Sequence, residues 1–274
     1  MSASADTPDF EAPGFETLAL ESVGEHVTIV RLNRPDASNA LNTQMGRDLV
    51  RYFEELALDP RELRCVILTG TGDKAFCAGG DLKERRGMTD EAWTRQHVIF
   101  ERMVRALIDC PVPIVGAVNG AAYGGGCEIA ACCDFLYAAE TARFALTEVT
   151  LGIMPGGGGT QTLPRAVGER RAKELILTGQ PFTSAQARDW GLVNEVFAQP
   201  DLMRQTLAVA SRIARNAPIS VRQAKLSVHR GLQLSLRDGL ALEIEAYNRM
   251  VPTEDRREGV AAFNEKRPPN FRGR

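Results

Sequence analysis

An α/β domain whose strands are covered by helices, followed by an all-helical region, is the fold class the sequence predicts. Three observations predict it. Short β-branched or apolar runs alternate with segments of helical spacing up to about residue 200. Past that point only helical texture remains. The chain has 274 residues, 44% hydrophobic and 25% charged, which suffices for a sizeable core. The organisation expected is a disordered arm over residues 1–13, an α/β core over 14–200 and a helical region over 201–274.

The elements follow in order. His26-Val27-Thr28-Ile29-Val30-Arg31-Leu32 is a β-branched run closed by Asn33-Arg34-Pro35-Asp36, the form of a strand and turn. Met45, Leu49, Phe53 and Leu56 then recur at helical spacing. Cys65 to Leu68 reads as a short apolar strand broken by Gly70-Thr71-Gly72-Asp73, and Phe76 to Asp81 as a second glycine break. A long helix is predicted from about Thr89 to Asp109, with Trp93, Phe100, Val104 and Leu107 on or near one face and Pro111 and Pro113 stopping it. Ile114 to Val118 is strand-like. Gly124-Gly125-Gly126 leads into a helix carrying Glu128, Ile129 and Ala131, and Phe135 to Ala138 and Phe144 to Leu146 are further extended pieces. Beyond the loop Pro155-Gly156-Gly157-Gly158-Gly159, Arg170 to Thr178 ends at Gly179 and Ser184 to Trp190 at Gly191. Three or four helices are expected from Asp201, one opened by Pro218. No short-period sequence repeat is detectable.

Several function classes are disfavoured at this level. A formal net charge of −2 gives no global attraction to nucleic acid or an anionic membrane surface. No apolar run approaches the roughly 18 residues that span a bilayer. Met1 to Pro13 has neither the apolar stretch of a secretory signal nor the Arg-rich pattern of a transit peptide. Cys65, Cys77, Cys110, Cys127, Cys132 and Cys133 show no C-x-x-C spacing, so reduced, buried thiols in a cytoplasmic protein are the expectation. His26, His97 and His229 are far apart, and no metal site is expected.

Gly70-Thr71-Gly72-Asp73-Lys74-Ala75 formally matches G-x-G-x-x-A after a strand, yet a strand-ending turn is the better reading, because a second glycine break follows instead of a helix. The four glycines at 156 to 159 lack the Lys-Ser/Thr of a phosphate loop. Two carboxylates then stand out, Glu128 in Tyr123-Gly124-Gly125-Gly126-Cys127-Glu128 and Glu148 in Phe144-Ala145-Leu146-Thr147-Glu148. Each alone has an ordinary reading. Glu128 could serve the dipole of a helix's first turn, and Glu148 could be a solvated loop residue.

Read together, three segments resemble the enoyl-CoA hydratase/isomerase (crotonase) superfamily: Ala75 to Lys83, Val118 to Glu128, and Thr147 to Gln161. The resemblance runs from about Phe15 to Arg272. Leu82-Lys83-Glu84-Arg85, Ile153 to Gln161, and the stretches Pro252 to Arg256 and Glu265 to Pro269 are most similar to the methylglutaconyl-CoA hydratase and AU-binding branch. It implies a crotonase-like spiral of ββα units over residues 14–200 and a C-terminal helical trimerisation region. It also implies an enoyl-CoA hydratase in which backbone N–H groups of Gly80 and Gly125 hold the thioester oxygen while Glu128 and Glu148 act as acid and base. Glycine suits that task, since a backbone must approach the developing charge without a Cβ in the way. Having both glutamates favours hydration over an isomerase or lyase on the same scaffold, the alternative reading.

By the same resemblance Ala78 and Lys83 border the adenine and phosphates of coenzyme A. Phe263 and Lys266 close over it from a neighbouring subunit of a homotrimer or dimer of trimers. Coenzyme A enters as part of the acyl-CoA substrate, and no separate cofactor is expected. The RNA-binding relatives carry a lysine-rich first helix. The segment Thr43 to Leu58 instead sets Arg47 and Arg51 against Asp48, Glu54 and Glu55, so phosphate neutralisation would be weak.

Overall fold

The computed structural model describes residues 14–274; the arm expected over residues 1–13 lies outside the described residues. β1 (Leu18–Val23) and β2 (Val27–Leu32) form an antiparallel hairpin. Next comes α1 (Thr43–Leu58), capped by Asn42, whose side chain accepts the Met45 N–H at 2.9 Å. The chain then makes three turns of one pattern: a strand in a large sheet, a short strand in a small sheet, then helix. The first turn is β3 (Cys65–Gly70), β4 (Ala75–Cys77), α2 (Leu82–Arg85) and α3 (Asp90–Asp109). The second is β5 (Ile114–Val118), β6 (Ala121–Tyr123) and α4 (Gly125–Ala131). The third is β7 (Phe135–Ala139), β8 (Arg143–Ala145), a 3-10 turn over Glu148–Leu151, α5 (Gly159–Val167) and α6 (Glu169–Thr178). This is the ββα spiral that the resemblance implied.

β9 (Phe182–Thr183), α7 (Ser184–Asp189) and β10 (Glu195–Phe197) complete the two sheets. The large sheet runs β1-β2-β3-β5-β7-β10 and the small one β4-β6-β8-β9; apart from β1 and β9 at their edges, all pairings are parallel. Parallel strands covered on both faces read as continuous apolar runs, and every residue of β3 and β5 is buried. Each fully buried side chain such as Ile67, Leu68 or Phe76 contributes about 1.5–3 kcal/mol.

Four helices follow, α8 (Leu202–Ala214), α9 (Pro218–Gly231), α10 (Leu236–Asn248) and α11 (Glu254–Glu265). α8 lies across β2, β3, β5, β7 and β10, burying Leu202, Thr206, Ala210 and Ala214, which share one face at four-residue spacing. α9 and α10 pack on each other and bury little else: Pro218 and Ala246 are their only buried residues among those described.

The structure departs from the sequence reading at several strands. Phe76 and Cys77, read as part of a glycine break, belong to β4, and β1, β6, β9 and β10 had no counterpart in the reading. The G-x-G-x-x-A stretch is a strand-to-strand turn with Gly72 at φ +83°, leading from β3 to β4 and not to a helix. Two buried asparagines secure it. Asn39 Nδ2 donates to the Thr71 and Ala75 carbonyls, while Asn119 accepts the Gly70 N–H and donates to the Gly70 and Gly72 carbonyls.

Candidate active site

The spiral brings the ends of β4, β6 and β8 to one side, where a cavity of about 600 Å³ opens. After β4 the chain turns at Gly79, φ +93°, so that Leu41 N–H donates to Gly79 O and Asp81 N–H to Leu41 O. This bridge leaves the Gly80 N–H out of its bonding. After β6, α4 starts at Gly125, whose N–H belongs to the first helical turn and has no partner within the helix. A Cβ built on Gly125 would stand 3.9 Å from Gly80 N, so the two glycines share one corner of the cavity.

Glu128 lies on the first turn of α4 and is 4% exposed. Its Oε1 accepts the N–H groups of Gly157 and Gly159, both at 2.8 Å. The glycine-rich loop can wrap so closely only without side chains: a Cβ on Gly157 would stand 2.7 Å from Glu128 Oε2. Burial pushes the Glu128 carboxyl up to about 7, against the two amides and the nearby Arg85, with the charge of Glu148 adding to the rise.

Glu148 opens the 3-10 turn after β8 and is 8% exposed. Neither of its oxygens finds a partner elsewhere among the described residues. Burial pushes its carboxyl above the usual range too, eased by its own backbone N–H and by Arg85. Two carboxyl groups line one cavity, both raised by burial, and the charge of Glu148 adds to the rise at Glu128. Such a pair can take a proton from one atom and give one to another near neutral pH.

Five of the eight residues singled out in the sequence therefore line one cavity: Ala78, Gly80, Gly125, Glu128 and Glu148. Ala78 gives its N–H to Ser38 O and is exposed at the rim. Lys83, Phe263 and Lys266 lie outside the lining and are solvent-exposed, Phe263 at 83%. Among the described residues, no group of three or more His, Cys, Asp or Glu side chains is placed to hold a metal, and no helix is long and apolar enough to cross a membrane.

The sequence reading missed a cation. Arg85, at the end of α2, reaches into the cavity and is half-buried; desolvation pulls its guanidinium below its ordinary range while Glu84, Glu128 and Glu148 oppose that shift. Its Nε donates to Gln96 Oε1 at 2.9 Å, and its guanidinium carbon stands 4.4 Å from the centre of the Trp93 ring. A basic residue in a four-residue helix of sequence Leu-Lys-Glu-Arg gives no signal of which charge turns inward. Gln96 at 3% exposure was equally invisible, although its place on α3 between Trp93 and Phe100 could have pointed to the buried face.

Residues 22–274 match the sequence profile of the Enoyl-CoA hydratase/isomerase family. The Bacillus subtilis protein YngF is 46% identical over 249 residues, covering 91% of this chain and 95% of its own length. The 2,3-dehydroadipyl-CoA hydratase of Escherichia coli is 42% identical over 250 residues, 91% of this chain and 96% of that one. The crystal structure of an enoyl-CoA hydratase from Bacillus anthracis superposes with a TM-score of 0.92 at 41% identity, covering 94% of this chain and all of that one.

Proposed function

Since the chain belongs to the enoyl-CoA hydratase/isomerase family and is an enzyme of enoyl-CoA hydratase type, we propose that it adds water syn across the double bond of a 2-enoyl-CoA thioester. In this reading the N–H groups of Gly80 and Gly125 hold the thioester oxygen, on which negative charge gathers as water attacks the β-carbon. Each such donor contributes about 2.7–4 kcal/mol in a transition state of this kind. Glu128 accepts the proton of the attacking water and Glu148 protonates the α-carbon.

The observation that carries the reading is the Glu148 carboxyl, buried in the wall of the cavity with no partner elsewhere among the described residues. A buried polar group without a partner costs about 1–3 kcal/mol, and a folded protein retains such a group where chemistry uses it. The contrast between the glutamates supports their division of labour. Two amide donors on Glu128 Oε1 favour its charged form, that of a base, and leave Oε2 for water. Glu148 has only its own backbone N–H as such a donor, and its burial favours the neutral form, that of an acid. The value of about 7 for Glu128 includes repulsion from an ionised Glu148. With the proton on Glu148 that repulsion vanishes, and Glu128 ionises more readily.

Coenzyme A is carried within the substrate, with Ala78 and Lys83 beside its adenine and phosphates. Phe263 and Lys266 close over it from a neighbouring protomer of a trimer or a dimer of trimers, which accords with their exposure in a single chain. A panel of crotonyl-, tiglyl- and methylglutaconyl-CoA tests the reaction. At least one thioester gains the mass of one water and loses its conjugated absorbance; double-bond migration without water uptake across the panel would contradict the hydratase reading.

A further inference from the structure

Asp255 is a buried carboxylate that the proposed reaction does not use. It lies in the first turn of α11 at 3% exposure, and both of its oxygens are taken by the backbone that follows the helix: Oδ1 accepts the Arg272 N–H at 2.6 Å and Oδ2 the Gly273 N–H at 2.8 Å. The Asp255 N–H donates in return to the Arg274 carbonyl at 3.1 Å. Three residues on, on the same side of the helix, Glu258 grips the same returning segment. Its Oε1 accepts the Asn270 N–H at 2.8 Å, and its two oxygens take the Arg267 guanidinium bidentately at 2.6 and 2.8 Å.

These contacts reach past α11. Arg64, just ahead of β3, donates through Nη1 to the Ala214 carbonyl at the end of α8 and through Nη2 to the Phe271 carbonyl. The Phe271 ring lies against Gly259 of α11, where a Cβ would meet it at 3.5 Å, and Gly273 lies against Pro218 at the start of α9. α11 itself buries only Asp255 and Ala262 among the described residues, so much of its attachment runs through residues 267–274. At the far end of α11 the chain reverses at Lys266, which is left-handed at φ +56°, and the Arg267 N–H donates to the Ala262 carbonyl. Glycine is the usual residue at such a reversal. Here a lysine stands there instead, exposed, next in sequence to the arginine that Glu258 grips and three residues from the exposed Phe263.

We propose that residues 267–274 form a clasp that fixes the position of α11, with Asp255 and Glu258 as positioning residues for coenzyme A: they hold Phe263 and Lys266 where a neighbouring protomer's bound thioester meets them. The inference rests on the reading that this helix end closes over coenzyme A. A carboxylate near a phosphate-binding lysine would by charge alone oppose an anionic nucleotide. The clasp therefore acts by placement, and its loss weakens binding although it removes a negative charge. Neither Asp255 nor Glu258 lines the cavity of Glu128 and Glu148, so the chemical step itself is untouched.

Crotonyl-CoA and crotonyl-pantetheine carry the same acyl group and differ in the nucleotide, so comparing them isolates contacts at the coenzyme's far end. In Asp255→Asn, and in Glu258→Ala, which removes a partly exposed side chain without opening a core, KM for crotonyl-CoA is expected to rise about 10-fold with kcat kept, the loss of one charge-assisted hydrogen bond. KM for crotonyl-pantetheine is expected to stay at the wild-type value. Added to Phe263→Ala with Lys266→Gln, Glu258→Ala should cause no further loss, because the clasp acts through those two side chains. An unchanged KM for crotonyl-CoA in folded, assembled variants would overturn the proposal. So would an equal rise for both thioesters, or a full further loss in the Phe263→Ala, Lys266→Gln protein, the behaviour of residues that only stabilise the fold. Wild-type KM for crotonyl-CoA in the Phe263→Ala, Lys266→Gln protein would overturn the placement of this helix end over coenzyme A and the proposal with it. Calorimetry with butanoyl-CoA and butanoyl-pantetheine reads the same selectivity without turnover; weakening confined to butanoyl-CoA in a protein that hydrates no enoyl thioester would contradict the proposed reaction alone.

Discussion

Glu128 and Glu148 show how two like residues come to differ through what surrounds them. Glu128 is gripped by the Gly157 and Gly159 amides, whereas Glu148 stands without a partner elsewhere in the described chain. Because an ionised Glu148 raises Glu128, Glu148→Gln should move the Glu128 carboxyl from about 7 toward its ordinary 4.5. Infrared titration of the protonated carboxyl band reads this directly, and an unchanged midpoint would show that the pair is not coupled. The same shift governs stability. Glu128 holds its proton more tightly in the folded state, so the stability linked to it is complete below pH 4.5 and is lost as pH rises through about 7. Both glutamates were legible in the sequence only through the glycine motifs around them. Arg85 and Gln96 were not, since which way a short helix turns its one inward charge depends on packing against α3, and no local pattern encodes that contact.

At the scale of elements, the site depends on α4 lying tight against β4. A Cβ on Gly126 would stand 2.0 Å from the Cys77 carbonyl oxygen, and backbone on both sides leaves nothing to yield. Gly126→Ala should therefore cost at least about 3 kcal/mol, the top of the usual overpacking range. Gly231→Ala, at the end of α9 with open space around it, is the control and should be neutral or slightly stabilising. Urea midpoints of the two variants give the comparison; equal midpoints would refute the tight packing of α4 on β4. Elements such as α1, α3 and β5 were legible because periodicity or an apolar run extends over them. β4, β6 and β8 have three residues each, too few for a period-two pattern, and only β8 was partly anticipated. The ββα repeat escaped sequence comparison for the same reason, being a repetition of path and not of residues.

For the whole molecule, one protomer leaves much apolar surface uncovered. Leu232 and Leu236, at the junction of α9 and α10, are both 80% exposed, and Leu240, Ile244 and Tyr247 continue the surface along α10. Light scattering should find three or six copies of the 29.9 kDa chain in solution, and a concentration-independent monomer would contradict the proposed assembly. The helical texture past residue 200 was evident from sequence, whereas the assembly came only from resemblance, because one chain's pattern does not say what covers its exposed face. The reaction itself is tested most directly by following crotonyl-CoA hydration with wild type, Glu128→Gln and Glu148→Gln while measuring the affinity of each for a saturated thioester. Turnover should fall by about 10²–10⁴ in each variant with thioester binding preserved. Near wild-type turnover in either variant would contradict the two-carboxylate mechanism.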